Sequence, residues 1–266
     1  MKFEEYPNKA RLKPYYKTEQ STILLTNKGT LIKHYFNEKD MENEILFYNL
    51  LKFRDLIKAP SLYTRGQDFI EIEFLKKERE YNLTEILNEI SKLYIGTKDN
   101  NNLFPKVDLS KEKLFHRLNY LRDEIQNKQV DIKLIDKCEK FVKERYHEDT
   151  NECIIHGDLK LPHIIPTSDG IKFIDFALAR TTNPLYDLSF LCMEEQKDKN
   201  GTFEKIVNAA HSNLSSTYKY NKGDIFNSLK SAMFYRTLYL FGFALRHRSQ
   251  KSIDRIIKEL EDIIIV

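Results

Sequence analysis

Tryptophan is absent from this chain of 266 residues, and glycine, proline and cysteine are scarce at eight, seven and three copies. Cys138, Cys153 and Cys192 are odd in number and far apart, which excludes a disulfide scaffold or a clustered zinc site and fits buried reduced thiols. No apolar run is long enough to span a bilayer, and the opening MKFEEYPNKARLK lacks the apolar core of a secretory signal. A cytoplasmic protein with no membrane partner is therefore expected. The formal net charge is only +3, too small to call for nucleic acid, and it does not provide the acidic surface suited to polycationic ligands. The missing tryptophan, together with abundant Lys, Ile, Asn and Tyr, points to AT-rich coding and carries no chemistry. What remains is 41% apolar and 31% charged, enough for one large or two-lobed globular body with a sizeable core.

The chemistry concentrates in CIIHGDLKLPHIIPTSDGIKFIDFALARTTNPLYDLSFL, residues 153–191. An apolar run leads into His156-Gly157-Asp158, and two short β-type runs, 163–165 and 171–174, flank the turn signal Thr167-Ser168-Asp169-Gly170. The second run delivers Asp175. Two carboxylates, Asp158 and Asp175, thus sit at the ends of neighbouring apolar segments, where burial is costly unless they do work. Phosphoryl transfer supplies such work, because one acidic group orients the acceptor hydroxyl and another holds Mg²⁺ on the nucleotide phosphates. Taken singly, HGD is a weak signal and an Asp at a strand end is often a turn former; three spaced elements within forty residues say more. Asp187, ahead of Leu188, Phe190 and Leu191, reads as a helix N-cap.

HGDLKLPH, IDF and NPLYDLSFL resemble the aminoglycoside phosphotransferase and choline kinase branch of the protein-kinase-like superfamily. The resemblance implies Asp158 as the catalytic residue and His163 and Asp175 as metal ligands. His163 stands where the family usually has Asn, as in aminoglycoside 2''-phosphotransferases, and Asn183 stands for a usual Asp. The implied fold is α+β and two-lobed: a small N-terminal lobe with an antiparallel sheet and a helix, residues 1–75, and a larger, mostly helical C-terminal lobe, residues 76–266.

Earlier segments fit that frame. Residues 22–26 and 30–36 read as a hairpin around Asn27-Lys28-Gly29, placing Lys33 in the second strand. A helix over 38–53 follows, with Met41, Ile45, Leu46, Tyr48, Leu50 and Leu51 as its apolar stripe. By the resemblance, Lys33 grips the α- and β-phosphates and a helix Glu steadies it, Glu44 first and Glu42 second. The loop 17–21 contains no glycine, so a backbone phosphate cradle is not evident; Ser21 and Thr22 are the candidates there. The alternating 68–75 resembles the lobe-connecting strand, with Glu73, Phe74 and Leu75 along the nucleobase edge, although an ordinary strand would read alike. Lys9, Arg11, Lys13 and Lys17 are interleaved with Tyr6, Tyr15 and Tyr16, as in a solvated lead-in strand or a nucleic-acid arm; the strand is favoured and nucleic acid is not expected as a partner. Helices are read over 83–94, within 114–142 and from residue 200 onward. Arg236, Tyr239, Arg246, His247 and Arg248 could border an acceptor pocket or belong to the core.

The implied activity is Mg²⁺-dependent transfer of the γ-phosphoryl group of ATP or GTP to a hydroxyl of a small molecule, with His156 bracing the loop. Two alternatives stand beside it. Lys160 and IDFALAR also resemble Ser/Thr protein kinases, and the glycine-free loop suits a nucleotide-binding pseudokinase module.

Overall fold

The computed structural model describes residues 2–5, 12–18, 20–98, 103–126, 128, 130–194 and 201–265. Tyr6, Lys9 and Arg11 of the basic arm lie outside them. The chain forms two compact units, residues 1–105 with 154–180, and 106–153 with 181–266.

The first unit is built on five antiparallel strands, β1 (Lys13–Lys17), β2 (Ser21–Leu25), β3 (Thr30–Tyr35), β4 (Leu62–Arg65) and β5 (Phe69–Glu73), in the order β1-β2-β3-β5-β4. Asn27-Lys28-Gly29 makes the β2–β3 turn, with Gly29 at φ +73, and Ile23 faces Lys33 across the ladder. Strand side chains alternate between faces, so Leu31, Lys33 and Tyr35 share one face of β3 while Ile32 and His34 share the other. The second face carries a small core of Leu24, Ile32 and Phe69, closed by Phe3, whose ring stacks on His34 at 4.6 Å. β4 has only four residues, too few for an alternation to be read, and the sequence reading missed it.

Helix α1 (Glu38–Arg54) follows β3. Asn37 caps it by accepting from the Lys39 N–H, Glu38 and Asp40 complement its N-terminal dipole, and Asp55 in the left-handed region ends it. Its inward residues include Glu44, Phe47 and Tyr48. Helix α2 (Leu83–Gly96), capped by Asn82, buries Ile86, Leu87, Ile90, Leu93 and Tyr94. The same unit contains β7 (Ile164–Thr167) paired antiparallel with β8 (Gly170–Phe173). The expected hairpin is there, although His163 belongs to a single 3₁₀ turn, Leu161–His163, just before it.

The second unit is helical: α3 (Lys111–Ile125), α4 (Lys133–Glu144), α5 (Pro184–Glu194), α6 (Thr202–Tyr218), α7 (Lys222–His247) and α8 (Gln250–Ile265). α7 begins with a reciprocal capping box between Asn221 and Asp224. α5 corrects one sequence reading. Its cap is Asn183, whose Oδ1 accepts from the Tyr186 N–H, with Pro184 at the first helical position; Asp187 is fully buried inside the first turn. The strongly apolar stretch of α7 is core, with Phe234, Leu238 and Phe241 fully buried. Arg236 lies 3.6 Å from the centroid of Phe190 and Tyr239 is 60% exposed. The short strands β6 (Cys153–Ile155) and β9 (Arg180–Thr182) occur where the chain leaves one unit for the other.

Candidate functional site

Lys33 is the buried hinge of the site. Its Nζ lies 2.7 Å from Glu44 Oε2 and 2.6 Å from Asp175 Oδ1. Burial alone would lower the pKa of this ammonium, but the two carboxylates outweigh it and raise the value above its ordinary range. Of the two helix candidates, Glu44 makes this pair and Glu42 is exposed. Tyr35, two residues on along the same face of β3, donates its hydroxyl to Glu44 Oε2 at 2.6 Å. Glu44 Oε1 and the Tyr48 hydroxyl, one helical turn apart, are buried without a hydrogen-bond partner among the described residues.

Asp175 has a φ of +66, a left-handed conformation that costs an ordinary residue about 1–3 kcal/mol and persists only when its surroundings hold it. They do. Phe176 stacks flat on Phe47 at 4.3 Å and meets Tyr48 edge-on at 5.5 Å. The next carbonyls, of Ala177 and Ala179, both accept from Asn43 Nδ2 at 2.8 Å. From the opposite side Gly157, at φ +85, presses on the Leu178 carbonyl so closely that a Cβ would lie 1.8 Å from its oxygen. Burial pushes the Asp175 carboxyl up, and Lys33 and His163 more than offset that, holding it at about 2.

The loop before the hairpin is tied to itself. His156, fully buried, joins the Ile174 carbonyl through Nε2 at 2.9 Å and accepts from the Asp158 N–H through Nδ1. Neutral imidazole does both jobs at once, and burial with the neighbouring His163 lowers its pKa to about 4. Asp158 Oδ2 pairs with Lys160 Nζ at 2.6 Å. Among the described residues its side-chain pairs all run through Oδ2, and Asp158 borders a cavity.

His163 Nδ1 lies 2.9 Å from the Asp158 carbonyl oxygen. A carbonyl only accepts, so Nδ1 carries a proton whether the ring is neutral or charged. The other ring nitrogen, Nε2, stands 3.3 Å from Asp175 Oδ2, so the two atoms can pair directly through a proton or face one cation held between them. Two cis donors around one octahedral Mg²⁺, each at about 2.1 Å, are about 3 Å apart, so the pair fits such an ion. Among the described residues no three His, Cys, Asp or Glu side chains form a metal group. A magnesium bound largely by phosphate oxygens and water needs no more than one or two protein ligands.

A cavity of about 500 Å³ brings these residues together within the first unit. Lys33, Glu44, Asp158, His163 and Asp175 border it, as do Ser21, Glu73, Phe74 and Leu75. Thr22 does not. It is opposite His34 in the β2–β3 register and therefore belongs to the Phe3 face of the sheet. Glu73 turns its carboxylate to Lys172, at 3.2 Å, and to the Ser61 N–H at 3.1 Å. Sequence reasoning missed Tyr15, Tyr16, Thr18, Gln20 and Asn43, which border the cavity or fasten its wall. The only local signal was the pair of tyrosines.

A model of the phosphotransferase enzyme family matches residues 77–218, more than half of the chain. The Protein LicA homolog of Mycoplasma capricolum is 26% identical over 221 residues, 81% of this chain and 87% of that protein. Among solved structures, the GDP complex of an aminoglycoside 2'-phosphotransferase-IIIa variant superposes with a TM-score of 0.74 at 14% identity, covering 98% of this chain and 93% of its own. The gentamicin complex of APH(2'')-IIa gives 0.69 at 14% identity over 94% and 90% of the two chains. Macrolide 2'-phosphotransferase MphH from Brachybacterium faecium gives 0.66 at 10% over 95% and 92%. At these identities the superpositions establish the shared kinase-like α+β fold.

Proposed function

This chain belongs to the phosphotransferase enzyme family, and from that premise we propose that it moves the γ-phosphoryl group of ATP or GTP to a hydroxyl of a small molecule. The observation that carries this reading is a cavity bordered both by a doubly paired Lys33 and by Asp158, whose Oδ1 makes no pair among the described residues. Lys33 binds the phosphates, and Glu44 and Tyr35 fix where its ammonium stands. Asp158 accepts the hydrogen bond of the acceptor hydroxyl, orients the oxygen for attack and takes its proton as the phosphoryl group moves. Asp175 and His163 would hold Mg²⁺, which when bound neutralises charge on the phosphate oxygens. His156 keeps the Asp158 backbone in place.

On this reading residues 1–75 form the nucleotide-binding lobe, with Ser21 along the phosphate end and Glu73, Phe74 and Leu75 along the base. Residues 76–266 supply catalysis and the acceptor. The family membership and the solved aminoglycoside and macrolide phosphotransferases of the same fold support a small-molecule acceptor. No described helix is long and apolar enough to cross a membrane, and we place the enzyme in the cytosol.

The test is triphosphate consumption with Mg²⁺ across aminoglycosides, macrolides, amino alcohols, sugars and nucleosides, with Asp158→Asn alongside. Acceptor-dependent consumption that falls by roughly two orders of magnitude in the variant, at unchanged nucleotide affinity, supports the assignment. Undiminished turnover by Asp158→Asn refutes it.

A further inference from the structure

The pairing of β1 with β2 contains one irregularity. Pro14 is opposite Leu24 and Tyr16 is opposite Ile23, so Tyr15 is an extra residue on β1, a β-bulge. Adjacent residues of a regular strand point to opposite faces, but here Tyr15 and Tyr16 both border the 500 Å³ cavity. The register shows which face this is. Ile23 is opposite Tyr16 on one side and Lys33 on the other, so the tyrosines and the phosphate-binding lysine share one wall. Tyr15 meets Phe74, at the expected nucleobase edge, with ring centroids 5.8 Å apart. Both residues are more than half exposed, at 57% and 61%, so core packing does not explain two aromatic residues there.

The neighbouring turn is equally specific. Thr18 Oγ1 accepts from the N–H groups of Gln20, at 3.1 Å, and Ser21, at 2.9 Å. Those are the amides that a glycine-rich loop would turn toward phosphate, and here a side chain has already satisfied them. These two amides are therefore not available to phosphate, and other groups of the cavity take up that share of the grip.

We propose that Tyr15 and Tyr16 form a stacking roof over a purine base, and that base stacking supplies affinity which the turn amides do not. This rests on reading the cavity as a nucleotide site. A double-ring base offers a π-face large enough to meet both tyrosines, and stacking on one aromatic side chain accounts for roughly 10- to 100-fold in affinity. The two tyrosines are specificity-determining residues, and tripolyphosphate, which has no base, is indifferent to them.

Calorimetric titration of ATP, GTP and tripolyphosphate into the wild type and into Tyr15→Leu, Tyr16→Leu, Tyr15→Phe and Tyr16→Phe tests this. Because both side chains are exposed, unchanged melting temperatures are expected and serve as the folding control. The Leu variants should lose about 10- to 100-fold for ATP and GTP, the Phe variants should retain affinity, and tripolyphosphate should bind all five proteins alike. Leu variants that bind ATP and GTP like the wild type overturn the roof, as does an equal loss for tripolyphosphate. A wild type that binds no nucleotide fails differently, since it removes the nucleotide reading before any variant is compared.

Discussion

Replacing Gly157 with alanine should separate catalytic geometry from nucleotide binding. The added Cβ would stand 1.8 Å from the Leu178 carbonyl oxygen and 2.6 Å from its carbon, whereas real contacts essentially never fall below 3.0 Å. Backbone must therefore shift by more than about 1 Å, either in the loop carrying Asp158 or in the segment behind Asp175. The second segment cannot yield freely, because Asn43 holds the carbonyls on both sides of Leu178. Alanine at φ +85 adds about 1–2 kcal/mol of backbone strain. A displacement of about 1 Å in a reacting group costs on the order of 100-fold in rate, so kcat should fall about that far while nucleotide affinity, which the proposal assigns to Lys33 and the base end, stays within roughly 3-fold. The assay is steady-state turnover at saturating nucleotide and acceptor, with melting temperature measured beside it. Gly29→Ala is the control: it also has a positive φ, +73, but nothing within 4 Å of the new Cβ, so it should lose about 2–4 °C and no activity. A Gly157→Ala enzyme with kcat within about 2-fold of wild type would refute the reasoning.

Asn43→Leu removes both hydrogen bonds to the segment after Asp175, each contributing about 0.5–1.5 kcal/mol, and should raise the Mg²⁺ concentration needed for half-maximal turnover without changing metal-free nucleotide affinity. An unchanged Mg²⁺ titration would show that the clamp does not serve Asp175. Stability should fall on acidification between pH 6.5 and pH 4. His156 titrates near 4 in the folded chain and near 6.5 unfolded, so the unfolded state binds more protons there; the stability linked to its neutral form is complete above pH 6.5 and lost as pH falls through 4. The groups facing it, His163, Asp158 and Asp175, remain in place. The drop should be roughly 3 kcal/mol by urea denaturation at the two pH values, and His156→Gln should flatten it. An equal slope in that variant would assign the acid sensitivity elsewhere.

What the sequence disclosed follows the range of the interactions. The β2–β3 hairpin, α1, β5 and the β7–β8 hairpin were legible because turn residues and apolar spacing act over a few positions. The choice between Glu44 and Glu42 needed the fold, since only its phase places one of them over the sheet. The contact of Lys33 with Asp175 spans 142 positions and leaves no local trace. β1 was legible only as a solvated lead-in strand without bounds, because all five of its side chains are exposed and no alternation marks where it begins or ends. Its bulge is visible only against the partner strand. The exclusion of Thr22 from the cavity has the same origin, for a strand's period is plain in sequence while the identity of each face is not.

Helix α1 constrains how this chain can drift. Asn43 holds the Asp175 segment, Glu44 holds Lys33, Phe47 carries Phe176, and Tyr48 touches that same ring. These adjoining positions all serve the Lys33–Asp175 centre, so a substitution at any of them disturbs the same site. Freedom lies with the exposed positions, Glu38, Lys39, Glu42, Leu46, Asn49, Lys52, Phe53 and Arg54. Sequence divergence along α1 is thereby channelled into those positions, and a scan of single substitutions would draw the inner surface of the helix as a band of intolerance beside a band of indifference.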